Sequence, residues 1–307
     1  MSLIFDALQK SGIEQSGIEY PDMMSVATQV FEAQREHVFA EGMTAESEPG
    51  GSVSVMDAPP TEIPASHKEW NPSPKFPSLE VSLTSSSRLV HLTEPDCLAA
   101  EKFRFLGVRL RQLRQNRGLK RVLVTSTIPQ EGKSLVSANL AGVLARRKER
   151  VLLLEGDLRR PVFAKQFGLG RLAGLGQYLQ GGTQEVSNIF HLKSAGFWLM
   201  PAGDPPANPL ELMQSGRLTQ LMTELSNLFD WIIIDSPPLL PLADTTVWAR
   251  LADGVLLVTR EGITEKGPLK RGLEVLKTSE LLGVVLNSCS NLDQKSYYSR
   301  YSPEGSK

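Results

Sequence analysis

Cysteine is almost missing from this chain. Only Cys97 and Cys289 occur among 307 residues, which excludes a disulfide framework, and no C-x-x-C or His-rich spacing provides a metal cage. The four histidines (His37, His67, His91, His191) are scattered, so a structural or solvated role is expected for each. Long apolar runs are absent too, none approaching the about 20 residues that cross a bilayer. The first thirty residues lack a basic start followed by an apolar stretch, so a secretory signal is not expected. Aromatic residues are few, at 7%, beside 41% hydrophobic and 22% charged residues. Those values exclude collagen-like, coiled-coil and wholly disordered chains, and the length suffices for one or two buried cores. The default expectation is a soluble protein of a reducing cytoplasm.

The net charge of −1 conceals a split. Residues 1–90 hold thirteen acids against five bases, while residues 91–307 hold twenty-one acids against twenty-eight bases. A basic second half suits anionic ligands such as nucleotides, or an acidic membrane surface. A nucleic-acid partner is not expected. The cations Arg146, Arg147, Lys148 and Arg150 read as a solvated helix end, where the helix dipole favours positive charge.

Proline placement divides the chain further. Seven of its twenty prolines fall in residues 44–87, among Ser, Glu and Gly, and without an apolar period this stretch reads as a disordered tether. Ahead of it, residues 1–10 place Leu3, Ile4, Ala7 and Leu8 on one helical face, and residues 25–38 do the same with Val26, Val30 and Phe31. Such short helices are marginal alone and suit a peptide that folds on a partner. The expected organisation is an acidic, mostly disordered leader (1–92), an ordered domain (93–290) and a flexible tail (291–307).

Inside the domain, residues 98–115 form a long basic helix, after which strands and helices alternate. Strands are expected at 122–126, 151–155, 197–200, 231–235, 254–259 and 283–286, with helices at 135–147, 217–228, 243–251 and 265–277. Runs such as Val-Leu-Leu-Leu, Trp-Ile-Ile-Ile and Val-Leu-Leu-Val are apolar throughout. Strands of that kind are buried on both faces, which predicts an α/β fold with a doubly wound, mostly parallel sheet. Ligands on such sheets bind beyond the carboxyl ends of the strands, so chemistry is sought there.

After the first strand of that set runs Thr125-Ser-Thr-Ile-Pro-Gln-Glu-Gly-Lys-Ser134, leading straight into a helix. Gly132, Lys133 and Ser134 end a phosphate-binding loop whose first Gly is replaced by Thr127. Backbone N–H groups and the helix N-terminus would face phosphates, Lys133 would neutralise the outer ones, and the Ser134 hydroxyl would ligate Mg²⁺. Nucleotide contacts are expected from Thr127, Pro129, Gln130, Glu131, Gly132, Lys133 and Ser134. The second strand ends in Glu155-Gly156-Asp157, two carboxylates able to serve one pocket as metal holder and proton acceptor. The strand at 231–235 delivers Asp235 ahead of Ser236-Pro237-Pro238, a second Mg²⁺ anchor. Asn287, past the last strand, suits adenine recognition or a simple turn.

The loop without its first Gly, then Glu155-Gly-Asp-Leu-Arg-Arg-Pro161, then Ile234-Asp-Ser-Pro-Pro238 resemble the bacterial tyrosine kinases, the cytoplasmic kinases of capsule and exopolysaccharide assembly. Ala202-Gly-Asp-Pro-Pro-Ala-Asn-Pro209 and Ala243-Asp244 carry the same resemblance, which runs from about Glu94 to the end. It implies a P-loop NTPase fold with a deviant Walker A loop, Mg²⁺ and ATP as cofactors, and transfer of the γ-phosphoryl to tyrosines of sister subunits. A membrane-spanning chain-length regulator is the implied activator, recruiting the kinase to the inner face of the plasma membrane, with residues 1–10 as the candidate docking segment. The tail agrees, since Tyr297, Tyr298 and Tyr301 are three of only five tyrosines and lie within the last eleven residues. They are the expected autophosphorylation sites.

Two departures from the family stand out. Glu155 replaces the usual Asp, leaving open whether Glu155 or Asp157 is the base, with Lys133 and Asp235 completing the catalytic set. On the long helix Glu101 and Arg104 match a subunit-contact pattern whose third position is Gly107 and not Arg, so a homo-oligomer is expected, with a ring one arrangement that this pattern does not secure. Rival readings are a partition or septum-site switch ATPase, disfavoured by Ile128 where a signature Lys belongs, and a regulatory subunit that binds ATP and transfers nothing. A dinucleotide fingerprint at Gly168-Leu-Gly-Arg-Leu-Ala173 lacks the strand it needs ahead of it.

Overall fold

A computed structural model describes residues 76–81, 84–181, 186–240 and 242–288. The two helices expected in the leader, most of the tether, Cys289 and the tail tyrosines lie outside the described residues.

Eight strands of this part form one sheet. In chain order they are β1 (Ser78–Leu79), β2 (Arg121–Ser126), β3 (Val151–Glu155), β4 (Phe190–Leu192), β5 (Phe197–Met200), β6 (Trp231–Asp235), β7 (Gly254–Arg260) and β8 (Leu281–Asn287). The helices are α1 (Val90–Thr93), α2 (Leu98–Gln115), α3 (Lys133–Ala145), α4 (Phe163–Gln166), α5 (Leu175–Leu179), α6 (Pro209–Met213), α7 (Gly216–Leu228), α8 (Asp244–Leu251) and α9 (Lys266–Val275). Across the sheet the order is β1-β4-β5-β3-β6-β2-β7-β8, and every pairing is parallel except β4 with β5.

The apolar runs explain the centre of this arrangement. All of β3 and β6 and nearly all of β2 and β7 are buried, since helices cover both faces of a parallel sheet and no face is left for polar side chains. α3 is buried from Val136 through Leu144. It lies between the sheet and α2, whose Gly107 approaches Val143 so closely that a Cβ would sit 3.2 Å from its methyl group. The third position of the subunit-contact pattern thus points into the fold.

The expected strand and helix centres hold, with ends displaced by a residue or two. The edge differs. β1 lies inside the stretch read as tether, where Ser78 and Leu79 pair with His191 and Leu192. Val81 and Leu89 are buried, and Phe76 stacks on Phe229 with centroids 6.1 Å apart. The domain therefore begins well before residue 93, because a few apolar side chains among prolines suffice to cover a sheet edge. β4 was also not expected; it is a three-residue antiparallel partner of β5, too short to show a period. The glycine-rich run follows α4, with Gly168 and Gly170 at φ +67° and +70°, so it is a turn after a helix and not a nucleotide fingerprint.

Candidate functional site

The tips of β2, β3 and β6 are neighbours although residues 126, 155 and 235 are far apart in sequence. From the first tip the chain turns through residues 127–132 into α3. Gly132 caps that helix at φ +97°, a left-handed conformation that glycine adopts without strain. A Cβ there would lie 2.0 Å from Nδ2 of Asn287. The N–H groups of Gln130, Gly132, Lys133 and Ser134 have no acceptor among the described residues, while residues 128–131 form a turn. Unpaired amides at a helix N-terminus form a site for anions such as phosphate.

Lys133, Ser134, Asp157 and Asp235 converge at this point. The Lys133 Nζ stands 3.8 Å from Oδ2 of Asp157, both side chains being largely buried. The Ser134 hydroxyl donates to Asp235 Oδ2 at 2.7 Å and the Ser137 hydroxyl to Oδ1 at 3.1 Å. Asp235 is enclosed, and burial pushes its carboxyl up to about 6 against the opposing pull of Lys133 and the two hydroxyls. A carboxyl so placed favours a cation, which would replace lost solvation. Asp157 has Oδ1 occupied by the N–H groups of Arg159 and Arg160 at 3.2 and 3.0 Å, leaving Oδ2 on the Lys133 side. The hydroxyl and two carboxylates are hard oxygen donors of the type that suits Mg²⁺.

Glu155 does not join them. Its Oε1 accepts from the N–H of Val162 and, at 2.8 Å, of Phe163, and its Oε2 from the N–H of Ala202 at 2.8 Å. Burial raises its pKa while those amides work against the rise. With both oxygens committed to backbone, Glu155 joins β3 to the start of α4 and the exit of β5. In this structure Glu155 braces these segments, while Asp157 keeps Oδ2 on the Lys133 side.

The loop residues divide similarly. Pro129 and Gln130 are exposed at the turn, Gln130 at φ +68°. Glu131 is buried: Oε2 accepts from the Ile128 N–H at 2.8 Å, and Oε1 from the Thr264 hydroxyl. Asn287 donates to the Glu131 carbonyl at 2.9 Å and accepts from the Ser288 N–H, so its amide supports the loop. Arg260 donates to the Gln130 carbonyl at 3.2 Å. Thr127 is buried with its hydroxyl unpartnered, beside Gly272 of α9. Thr264 and Arg260 were not singled out in the sequence; their position after a strand tip was the only signal for them. Among the described residues no cluster of three or more His, Cys, Asp or Glu forms a metal cage, and no helix is long and apolar enough to cross a membrane.

No family model matches the chain. Individual proteins do. Over 220 residues it is 34% identical to the tyrosine-protein kinase YwqD of Bacillus subtilis, a span covering 69% of this chain and 90% of YwqD. Over 204 residues it is 31% identical to the tyrosine-protein kinase Wzc of Salmonella typhimurium, covering 66% of this chain but only 28% of that longer protein. Among solved structures, the chimerical protein CapA2B2 matches with a TM-score of 0.63 and 28% identity over 70% of this chain and 95% of that one. The kinase domain of the Escherichia coli tyrosine kinase Etk matches with a TM-score of 0.62 and 28% identity over 66% and 82%.

Proposed function

This chain belongs to the bacterial tyrosine-protein kinases, and from that membership we propose that it phosphorylates tyrosines with Mg²⁺ and ATP at the tips of β2, β3 and β6. The enzyme class is protein-tyrosine kinase. The observation carrying the rest is the meeting of Lys133, Ser134, Asp157 and Asp235 below a row of unpaired amides.

In this reading the N–H groups of Gln130, Gly132, Lys133 and Ser134 and the Lys133 ammonium hold the β- and γ-phosphates of ATP. Ser134, Asp235 and Asp157 would hold Mg²⁺, which would supply positive charge against that of the phosphates. Asp157 takes the phenolic proton as the bond from the γ-phosphorus to the bridging oxygen breaks and the bond to the tyrosine oxygen forms. Phosphoryl transfer depends mainly on such positioning and charge neutralisation. Thr127, Pro129 and Gln130 line the loop around the phosphates, and the side chains of Glu131 and Asn287 hold its shape.

The acceptors are Tyr297, Tyr298 and Tyr301 of sister subunits in a homo-oligomer. The kinase works in the cytoplasm in capsule or exopolysaccharide assembly, held at the inner membrane face by a membrane-spanning partner. Incubation of the purified chain with labelled ATP and Mg²⁺, followed by phosphosite mapping, tests this. Phosphotyrosine on the tail that disappears in Lys133→Ala is the expected result. Nucleotide binding without phosphotyrosine would leave an ATP-binding regulator instead.

A further inference from the structure

Helix α8 touches both carboxylate-bearing tips. Its first residue, Asp244, is buried, and its carboxylate receives the Arg159 guanidinium through two bonds, Nε to Oδ2 at 2.7 Å and Nη2 to Oδ1 at 3.1 Å. Arg159 follows Asp157 by two residues, and its backbone N–H is one of the two donors on Asp157 Oδ1. The next residue, Thr245, donates its hydroxyl to the Pro237 carbonyl at 2.8 Å, two residues beyond Asp235. One turn on, the Trp248 indole N–H donates to the Gly156 carbonyl at 3.1 Å. That approach is tight: a Cβ on Gly156 would lie 2.7 Å from the indole ring. Gly156 also donates its own N–H to the Asp235 carbonyl at 2.7 Å. Asp157 therefore sits between two residues, Gly156 and Arg159, that a single rigid helix grips, and the same helical turn grips the chain beyond Asp235.

We propose that α8 is the spacer that fixes Asp157 relative to Asp235, with Asp244 and Trp248 as positioning residues for phosphoryl transfer. Neither reaches the reacting atoms; both act through the loop that carries Asp157. This rests on the reading of Asp157 as a catalytic group. A bidentate guanidinium–carboxylate pair fixes orientation as well as distance, and a carboxylate displaced by about 1 Å can lose a hundredfold in rate. Loosening the helix should thus lower turnover while leaving the phosphate loop and its nucleotide affinity in place, since α8 makes no contact with residues 128–134 through its side-chain hydrogen bonds.

The test uses the full chain and measures tyrosine autophosphorylation and Mg²⁺-free ADP affinity in Asp244→Asn, Trp248→Phe, Asp157→Asn and the Asp157→Asn/Asp244→Asn double variant. In Asp244→Asn, kcat should fall about 10- to 100-fold, with KM for ATP and ADP affinity changed less than about threefold. In the Asp157→Asn background the same substitution should cost nothing further. Trp248→Phe keeps one aromatic ring and removes the N–H that bonds Gly156 together with part of the buried indole volume, so it should lower kcat with the same pattern, and it gives a second, independent test if Asp244→Asn fails to fold. Unchanged kcat in both single variants, a rise in KM alone, or a full additional loss on top of Asp157→Asn would overturn the proposal. An Asp157→Asn protein with wild-type kcat would instead refute the catalytic reading of Asp157 beneath it.

Discussion

Asp235→Asn should stabilise the free protein while disabling it. The Asp235 carboxyl is wholly buried and raised from 3.8 to about 6, burial outweighing Lys133 and the hydroxyls of Ser134 and Ser137 while Asp157 adds to the rise. The folded chain therefore binds a proton at this site more tightly than the unfolded chain, so stability rises as pH falls from about 6 toward 3.8. Above that window the ionised form costs the fold about 3 kcal/mol, because each tenfold gain in proton affinity is worth about 1.36 kcal/mol. Asparagine is isosteric and uncharged. Its Oδ1 can accept from Ser134, while its Nδ2 can donate to Ser137, whose hydroxyl already has the Lys133 carbonyl as an alternative acceptor at 2.9 Å. Urea unfolding at pH 7.5 should show a gain of about 3 kcal/mol, shrinking to roughly half of that at pH 5, where most wild-type Asp235 is already protonated. For a domain of this size that corresponds to roughly 2–4 °C of Tm for each kcal/mol. Phosphotyrosine formation should fall by at least about a hundredfold. A variant less stable than wild type at pH 7.5, or a gain equally large at pH 5, would refute the reasoning.

Other substitutions test the supports around the site. Glu155→Gln replaces an oxygen that accepts backbone N–H with a second donor, so the chain should lose about 1–3 kcal/mol, read by urea unfolding. Glu155→Asp, one methylene shorter, should not recover the loss. Gly142→Ala places a Cβ 2.0 Å from the His91 ring, so overpacking should cost at least about 1–3 kcal/mol by thermal melting. His91 is buried and its pKa is lowered, first by burial and then by Arg146 and Arg104, with its bond to Asn139 opposing. The unfolded chain thus takes the proton first, and stability should fall as pH drops below 6.5. His91→Gln should flatten that part of the profile, as followed by chemical unfolding between pH 7 and 5.

The centre of the fold was legible because burial on both faces leaves a sequence no choice but to be apolar. The runs Leu152–Leu154 and Ile232–Ile234 could not belong to exposed strands, and helices at the intervening positions demanded a parallel sheet. The edge carried no comparable signal. Ser78 and Leu79 join the sheet by backbone bonds to a strand of three residues, and backbone bonds are available to every residue type. For the same reason the prolines around them misled: Pro77 contributes a carbonyl to His191, which proline supplies as well as any other residue.

The candidate site divides along a related line. Lys133, Asp157 and Asp235 could be read as one group across about a hundred positions because a parallel sheet brings its carboxyl ends to one side, so each residue after a strand is a neighbour of the others. What could not be read is which carboxylate faces the pocket. Glu155 and Asp157 have the same charge and lie at and just past the end of β3, and the amides of Val162, Phe163 and Ala202 make the first a brace in this structure. The side chains of Asn287 and Glu131 likewise hold the loop by bonds to its backbone, which their positions in the sequence did not reveal. Charge and position identify residues that can do chemistry; the distribution of backbone donors decides which of them remain free. The catalytic reading therefore rests most securely on Asp157 Oδ2 and Asp235, whose partners are a lysine and two hydroxyls that can exchange them for metal and phosphate.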